Sequence, residues 1–366
     1  MKYFFIVIAV IMSAIFAFNA QLDVAGFRTG EVYPLAAKQG ATQTLVSDRD
    51  YDQRSWVRAR LEAACPTTLL LGSSTIGTMS AAMIGGSNVL NAWLTGPTVE
   101  DLEAVAQMLQ VNDCRPARII VGIDPFFVNP KVTSNRWRTV KDFQRGFVGA
   151  GATSGWLADT KSGWLRFTDR LAYQTTRDGV RLLAKGASRA VGPRLVRDLT
   201  TFCAKTDHPQ SVRHIDGHFS YCPGWLKPVA EVEAIAATYV QRDVHKTRSW
   251  TRLSNARLAR ISGVLGKLQD RGAHLVLVTP TVHPLTYAAL RADAHIAALL
   301  DQLDAALSAL ASRRGFAFVA VRDPNTIGCT TGQFFDSHHP APMCARLLAA
   351  KISQAVVPAP APARGQ

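Results

Sequence analysis

The chain has 366 residues, 48% of them hydrophobic and 19% charged, so it can bury a full core and is not disordered as a whole. Lysine and arginine (41) outnumber aspartate and glutamate (27), which gives a formal net charge of +14 and favours an anionic partner. Six cysteines are too few for a small disulfide-built protein, but their even number permits full pairing in an oxidising compartment.

The amino-terminal segment has the charge-then-hydrophobe order of an export signal. Lys2 precedes an uninterrupted apolar run over residues 3–18. Phe18 and Ala20 would occupy the two recognition positions of a signal-peptide cleavage site, so no clean A-x-A motif is present. We therefore expect residues 1–25 to be a signal anchor in the inner membrane of a bacterium, with the rest of the chain in the periplasm. A cleaved signal peptide that leaves a soluble periplasmic product is the alternative.

Short runs rich in leucine and β-branched residues alternate with amphipathic stretches, which predicts an α/β fold with a buried parallel sheet. The fold class we expect is a three-layer α/β/α arrangement of five parallel strands in the order 2-1-3-4-5. The predicted strands are residues 67–72, 88–92, 117–123, 273–279 and 315–321. The predicted helices are residues 51–64, 98–111, 251–270, 287–312 and 341–356.

The spacing of these elements predicts one large domain with an insertion. Residues 26–65 form a lead-in segment, residues 66–356 the domain, and residues 357–366 a disordered Pro/Ala-rich tail. About 150 residues separate the third and fourth strands, so we expect a large, mostly helical insertion at about 126–250.

The insertion region carries nearly all of the net charge, since residues 126–260 hold 23 Lys/Arg and 10 Asp/Glu. A solvated basic face, or attraction to anionic lipid headgroups, accounts for this excess. The sharper interpretation is a basic groove for an acidic glycan or a phosphorylated polymer. Nucleic acid is not an expected partner, because the chain has an export signal and no nucleic-acid-binding motif.

Two motifs far apart in the chain contain residue types that suit nucleophilic catalysis. Ser73 and Ser74 follow the first predicted strand, at the sheet edge where open α/β folds bind ligands. Near the other end, Asp336 and His339 lie three residues apart in the sequence DSHHP, just before the last predicted helix. That spacing lets a carboxylate orient an imidazole, which then accepts a proton from a serine. Either motif alone is weak evidence for catalysis. The serines of the first motif could simply cap the helix that follows.

Together the two motifs resemble those of the SGNH (GDSL-like) hydrolase family. The likeness is narrower to its membrane-anchored envelope members, such as the alginate O-acetylation and D-alanyl transfer proteins. It covers roughly residues 65–125 and 270–356 and leaves the insertion unmatched.

Carried over residue by residue, the resemblance implies a catalytic triad of Ser74, His339 and Asp336. The family's second block matches Asn91 and the residues after it, which implies that the backbone N–H groups of Gly96 and Ser74 form an oxyanion hole. His338 would then be a neighbour of the base and not the base itself.

The third block departs from the family pattern. Where the family has G-x-N, this chain reads Gly122-Ile123-Asp124, which places Asp124 at the third oxyanion-hole position. An amide there would donate a hydrogen bond, whereas an ionised carboxylate cannot donate and opposes the developing negative charge. The same G-x-D-P-F form is similar to what the anchored subfamily carries.

Further residues near the strand ends are candidates for substrate contacts. For several of them a purely structural role, such as packing in the core, is the alternative. The candidates are Ser73, Asn91, Trp93, Arg136, Trp137, His283 and His338. His214 and His218 flank Asp216 at a spacing that suggests a metal pair on a helix, but Gly217 argues against a helix there. We therefore expect neither a metal site nor a cofactor.

The cysteines are expected to pair with their neighbours along the chain. Cys65 and Cys114 precede two strands that are adjacent in the expected sheet. Cys203 with Cys222 would close a loop in the insertion, and Cys329 with Cys344 would brace the segment that carries Asp336 and His339. Six free, buried thiols are the alternative.

These features predict a periplasmic serine esterase or O-acyltransferase that acts on a cell-envelope or exported polysaccharide. The substrate would be an anionic or acylated polysaccharide, the acyl group most simply acetyl, and a membrane-bound acyl donor protein would be the partner of a transferase. Sequence does not separate transfer from hydrolysis, because both reactions use the same triad. The alternative is a catalytically inactive glycan-binding or assembly scaffold with a degenerate site.

Overall fold

A computed structural model describes residues 2–22, 53–134, 136–149, 176, 180, 199–204, 211–222 and 226–355. The predicted disordered tail, most of the lead-in segment and much of the insertion lie outside these residues, so the mostly helical character expected of the insertion stays a prediction. The strands are β1 (Thr68–Ser73), β2 (Val89–Leu94), β3 (Arg118–Gly122), β4 (Ser211–Arg213), β5 (Phe219–Tyr221), β6 (His274–Thr279) and β7 (Ala317–Ala320). The helices are α1 (Lys2–Leu22), α2 (Gln53–Ala63), α3 (Ala81–Ile84), α4 (Val99–Val111), α5 (Lys141–Phe147), α6 (Leu199–Ala204), α7 (Val229–Ala237), α8 (Asn255–Asp270), α9 (Pro284–Ala292), α10 (Ala294–Arg314) and α11 (Pro342–Ala355).

Five parallel strands form the central sheet, in the order β2-β1-β3-β6-β7. The expected α/β class and the five parallel strands are confirmed. The order by number differs from the expected 2-1-3-4-5, because the insertion contributes two strands that the sequence analysis did not anticipate. These strands, β4 and β5, pair antiparallel as a separate hairpin.

Successive side chains of the central strands enter two different cores. On β1, Leu69 and Leu71 pack into the core that includes α4, α8 and α10, while Leu70 packs into the core that includes α11. Strand β6 alternates in the same way, because the side chains of a strand point to opposite faces at each step. Helices therefore cover both faces of the sheet, as buried parallel strands require.

One predicted helix is two helices in the structure. The apolar periodicity of residues 287–312 predicts a single element, but the chain breaks at Asp293, between α9 and α10. The Asp293 carboxylate accepts hydrogen bonds from the backbone N–H groups of His295 and Ile296, which makes it the N-cap of α10. Helix α9 begins at Pro284, a residue favoured in the first turn of a helix.

The three expected disulfides are present: Cys65–Cys114, Cys203–Cys222 and Cys329–Cys344. These three bonds use all six cysteines of the chain, so none is free. Disulfides persist in oxidising compartments and are rare in the cytosol. The protein therefore fits an exported location.

Two described helices are relevant to a membrane. Among the residues that the structure describes, helix α10 alone has the length and apolar composition of a membrane span, yet Leu303 and Leu307 on it are fully buried in the domain core. In α1 the apolar stretch Ile6–Phe18 is shorter, and it exposes several large side chains, for example Ile6 at 57% and Val10 at 62%.

Candidate active site

The site lies at the carboxyl end of the central sheet, where the chain leaves β1. The strand ends in Gly72 and Ser73, and Ser74 begins a short 3₁₀ helix (Ser74–Ile76). A Cβ on Gly72 would stand 2.9 Å from the carbonyl oxygen of Gly122 on the neighbouring strand, too close for any side chain. The absence of that Cβ lets the two strand ends approach each other beside Ser74.

Ser74, His339 and Asp336 form a hydrogen-bonded chain across 265 residues of sequence. Nε2 of His339 lies 2.7 Å from Oγ of Ser74, and Nδ1 of His339 lies 2.6 Å from Oδ2 of Asp336. The other carboxylate oxygen, Oδ1 of Asp336, accepts the backbone N–H groups of His338 and His339 at 2.9 and 3.0 Å. This is the arrangement in which a carboxylate orients a histidine that takes a proton from a serine.

The electrostatics of the triad favour an ionised carboxylate. Burial alone would raise the pKa of Asp336, but the adjacent His339 and His338 outweigh it and hold this pKa well below its usual value. Asp336 is thus charged at every physiological pH and stabilises an imidazolium on His339 when one forms.

The insertion covers one side of the triad with the β4–β5 hairpin. Phe219 on β5 meets the His339 ring edge-on at 6.1 Å and packs against Trp93 at 4.8 Å. Its backbone N–H donates to the carbonyl of Gly77, which follows the 3₁₀ helix Ser74–Ile76. Arg213 on β4 is buried between the rings of Trp56 and Trp93, and it donates to the carbonyl of Trp93. Sequence reasoning missed this hairpin, because its three-residue strands give no clear period.

Asp124 is an acceptor at the position where the oxyanion hole was expected to have a donor. Oδ2 of Asp124 accepts the Ser73 hydroxyl at 2.6 Å, and the Thr75 hydroxyl lies 3.2 Å from the same oxygen. Burial raises the pKa of Asp124, and the Ser73 hydrogen bond and the charge of Arg322 partly offset this. Asp124 therefore holds the residues on both sides of Ser74 in place. The expectation that it belongs to the oxyanion hole is corrected, because it accepts the neighbouring hydroxyl groups.

The loop that carries Gly96 is clamped by side chains from two segments. Gly96 has a left-handed φ of 52°. Beside it, the N–H of Thr95 donates to Gln53 on α2 at 2.6 Å, and the carbonyl of Thr95 accepts Arg136 at 3.3 Å. Arg136 thus reaches this loop, as expected of a residue near the site, and Trp137 follows it, half-buried. The oxyanion roles of the Gly96 and Ser74 N–H groups stay predictions.

Three of the expected substrate contacts are structural residues instead. Ser73 is buried against Asp124. Asn91 is 1% exposed, and its side-chain amide donates to the carbonyls of Ile76 and Met79, which joins β2 to the segment that follows Ser74. Trp93 is also 1% exposed and donates its indole N–H to the carbonyl of Gly217.

His283 and His338 lie close to the loop of Asp336 and His339 but differ in their surroundings. His283 is fully buried, and its Nδ1 accepts the N–H of Leu285 as the N-cap of α9, so it is a structural residue and not the substrate contact expected. His338 remains 17% exposed, and its ring lies 4.0 Å from that of His339. Burial and the neighbouring His339 lower the pKa of His338 to about 3, so it is neutral at physiological pH.

The His214–His218 pair lies in the hairpin turn and not on a helix, as the glycine at 217 indicated. The two rings stack at 3.9 Å, and Nδ1 of His218 bonds the Asp216 carboxylate at 2.5 Å. Among the described residues, the one cluster with metal-ligand geometry is Asp336, His338 and His339, which belongs to the triad. Asp336 and His339 are already hydrogen-bonded to each other, and His339 to Ser74, while Nδ1 of His338 lies 3.0 Å from the Ser337 hydroxyl.

No protein-family model matches the chain, and no curated protein matches it either.

Proposed function

We propose that the protein is a serine-dependent acyltransferase or esterase of SGNH type. The observation that carries the proposal is the pair of hydrogen bonds from Ser74 to His339 and from His339 to Asp336. In the reaction, Ser74 Oγ attacks the acyl carbonyl while His339 Nε2 takes its proton. The ester C–O bond of the donor then breaks, and His339 returns the proton to the leaving oxygen. The product is an acyl ester on Ser74.

The second half of the reaction regenerates the serine. A hydroxyl group or a water molecule attacks the acyl-serine, and His339 again acts first as base and then as acid. If a sugar hydroxyl outcompetes water, the protein is an O-acyltransferase that works beside a membrane-bound acyl donor; if water wins, it is an esterase. The substrate we propose is a cell-envelope or exported polysaccharide, and the acyl group is acetyl.

The location and the polysaccharide substrate rest on separate features. The three disulfides, together with the exposed apolar helix α1, support a periplasmic domain anchored in the inner membrane. The basic excess of residues 126–260 supports an anionic polymer as partner.

Hydrolysis of aryl acetates tests the chemistry. We expect Ser74→Ala to lower kcat/KM by at least about 10³-fold, as removal of a triad nucleophile does. Ser80→Ala is the matched control, since Ser80 lies six residues on and its side chain makes no cap hydrogen bond. Equal activity in the two variants would contradict the proposal.

A catalytically inactive glycan-binding scaffold is the second candidate, and Asp124 is the observation that favours it. Loss of one oxyanion donor typically lowers the rate by about 10² to 10³. A folded wild-type protein that binds polysaccharide but does not react at Ser74 would establish the scaffold.

A further inference from the structure

A cavity of about 40 Å³ lies next to the segments that carry Ser74 and His339, and its lining includes no residue of the β4–β5 hairpin. Three of its lining residues border the catalytic groups: Thr75 follows Ser74, His338 precedes His339, and Asp124 is hydrogen-bonded to Ser73. Since one water needs about 10–15 Å³ of such space, the cavity holds roughly three atoms of that size. This is the size of a short chain and not of a sugar ring.

The walls of the cavity are apolar and come from separate parts of the chain. They include Phe126 after β3, Tyr239 and Trp250 from the insertion, Val282 after β6, and Leu300 on α10. All five side chains are less than 9% exposed. Such walls favour hydrocarbon, by about fourfold in affinity for each buried methylene group.

The polar part of the lining includes an unpartnered donor. Arg322 is 4% exposed, and its Nη2 donates to Asp304 at 2.8 Å, but its Nε is buried and makes no hydrogen bond to any described residue. The charge of Arg322 is opposed by Asp304 and by Asp124, which also lines the cavity. Arg322 thus has an N–H that could pair with an oxygen atom, while its positive charge is already compensated and is not available to an anion.

Strained backbone holds a second imidazole against the cavity. Asp243, His245 and Lys246 have φ angles of 49°, 53° and 59°, a conformation that residues with side chains seldom adopt. The Asn129 amide donates to the carbonyls of His245 and Lys246, and His245 Nδ1 bonds the Tyr239 hydroxyl at 2.9 Å. Strain of this kind is concentrated at ligand-binding and active sites.

We propose that this cavity is the acyl subsite, and that it takes an uncharged acyl group of two to four carbon atoms. This inference rests on the proposed function, because the acyl group is the one transferred to Ser74. The chain of the acyl-serine extends past His338 between the aromatic walls. Longer chains exceed the cavity, and anionic chains would be buried against apolar walls without an uncompensated positive charge to pair with.

Two alanine variants of α10 test the subsite. Leu300 lines the cavity, whereas Leu307, two turns further along the same helix, is packed in the core away from it. Both leucines are 2% exposed or less, so the two substitutions remove the same atoms from equally buried positions. The measured quantity is the ratio of kcat/KM for p-nitrophenyl hexanoate to that for p-nitrophenyl acetate.

We expect Leu300→Ala to raise this ratio about tenfold and Leu307→Ala to leave it within twofold of wild type. Wild-type protein should hydrolyse p-nitrophenyl hemisuccinate at less than about a tenth of the acetate rate. An unchanged ratio in Leu300→Ala, or an equal change in both variants, would overturn the subsite. If Leu300→Ala does not fold, Val282→Ile gives the opposite test, because the added methylene should lower the butyrate-to-acetate ratio.

Mass spectrometry of the quenched reactions separates the two hypotheses. Acylation of Ser74 with an unchanged chain-length ratio refutes the subsite alone. No acylation of Ser74 by any of the esters refutes the proposed function, and the subsite fails with it.

Discussion

Replacement of Asp336 by asparagine tests how the triad holds its histidine in the reactive form. In the wild-type protein, the Asp336 carboxylate accepts Nδ1–H of His339 at 2.6 Å and two backbone N–H groups through its other oxygen. Asparagine has one acceptor oxygen, which the two backbone N–H groups occupy, so its NH₂ group faces Nδ1. The neutral imidazole then carries its proton on Nε2 and cannot accept one from Ser74.

This change of tautomer, with the loss of the charge that stabilises the imidazolium, should lower kcat by about 10⁴. That factor corresponds to about 5 kcal/mol of transition-state stabilisation. The assay is hydrolysis of p-nitrophenyl acetate, with a thermal melt to show that the variant is folded. Asp323→Asn is the matched control, because Asp323 caps a short helix by accepting the Asn325 N–H and should retain full activity. An Asp336→Asn variant with more than a tenth of wild-type activity would refute the role given to the carboxylate.

Three further predictions concern stability and the cover of the site. The pKa of His338 is lowered to about 3, so the unfolded chain binds a proton below pH 6.5 that the folded protein does not, and stability falls as pH falls from 6.5. Between pH 7 and pH 4.5 in urea titrations, the free energy of unfolding of the wild type should therefore fall by about 2–3 kcal/mol more than that of His338→Gln. An equal fall in the two proteins would contradict this. In Gly77→Ala the new Cβ would stand 2.4 Å from the Phe219 ring, so we expect about 1–3 kcal/mol of destabilisation in denaturant melts and lower activity; wild-type values in both would be inconsistent with the hairpin contact. The Cys329–Cys344 disulfide closes a 15-residue separation around Asp336 and His339, and the double alanine variant should lose about 3 kcal/mol, whereas an unchanged melt would show that the bond is dispensable.

The sheet was predictable because the central strands are mostly apolar, with Asn91 the one polar residue inside β2, and such runs are the signature of strands buried on both faces. The predicted strands match the observed ones to within two residues at each end. The break at Asp293 was not predictable from periodicity, since apolar residues continue on both sides of it. The β4–β5 hairpin escaped for a different reason: its strands have three residues each, too few to show a period.

The triad was predictable in residue type and spacing, because Asp336 and His339 lie within one turn of chain. Its neighbours were not. Phe219, Tyr239 and His245 come from the insertion, and only the folded chain brings them beside His339 and His338. The role of Asp124 also required the structure, because a carboxylate at the oxyanion position says nothing by itself about which hydroxyls it accepts.

Reaction of the folded protein with a fluorophosphonate probe, followed by peptide mass spectrometry, measures the nucleophilicity of residue 74 directly. Our account predicts a covalent adduct on Ser74 and on no other serine, absent in Ser74→Ala and strongly reduced in His339→Ala. Folded protein that stays unmodified, or an adduct on Ser73 in place of Ser74, would contradict it.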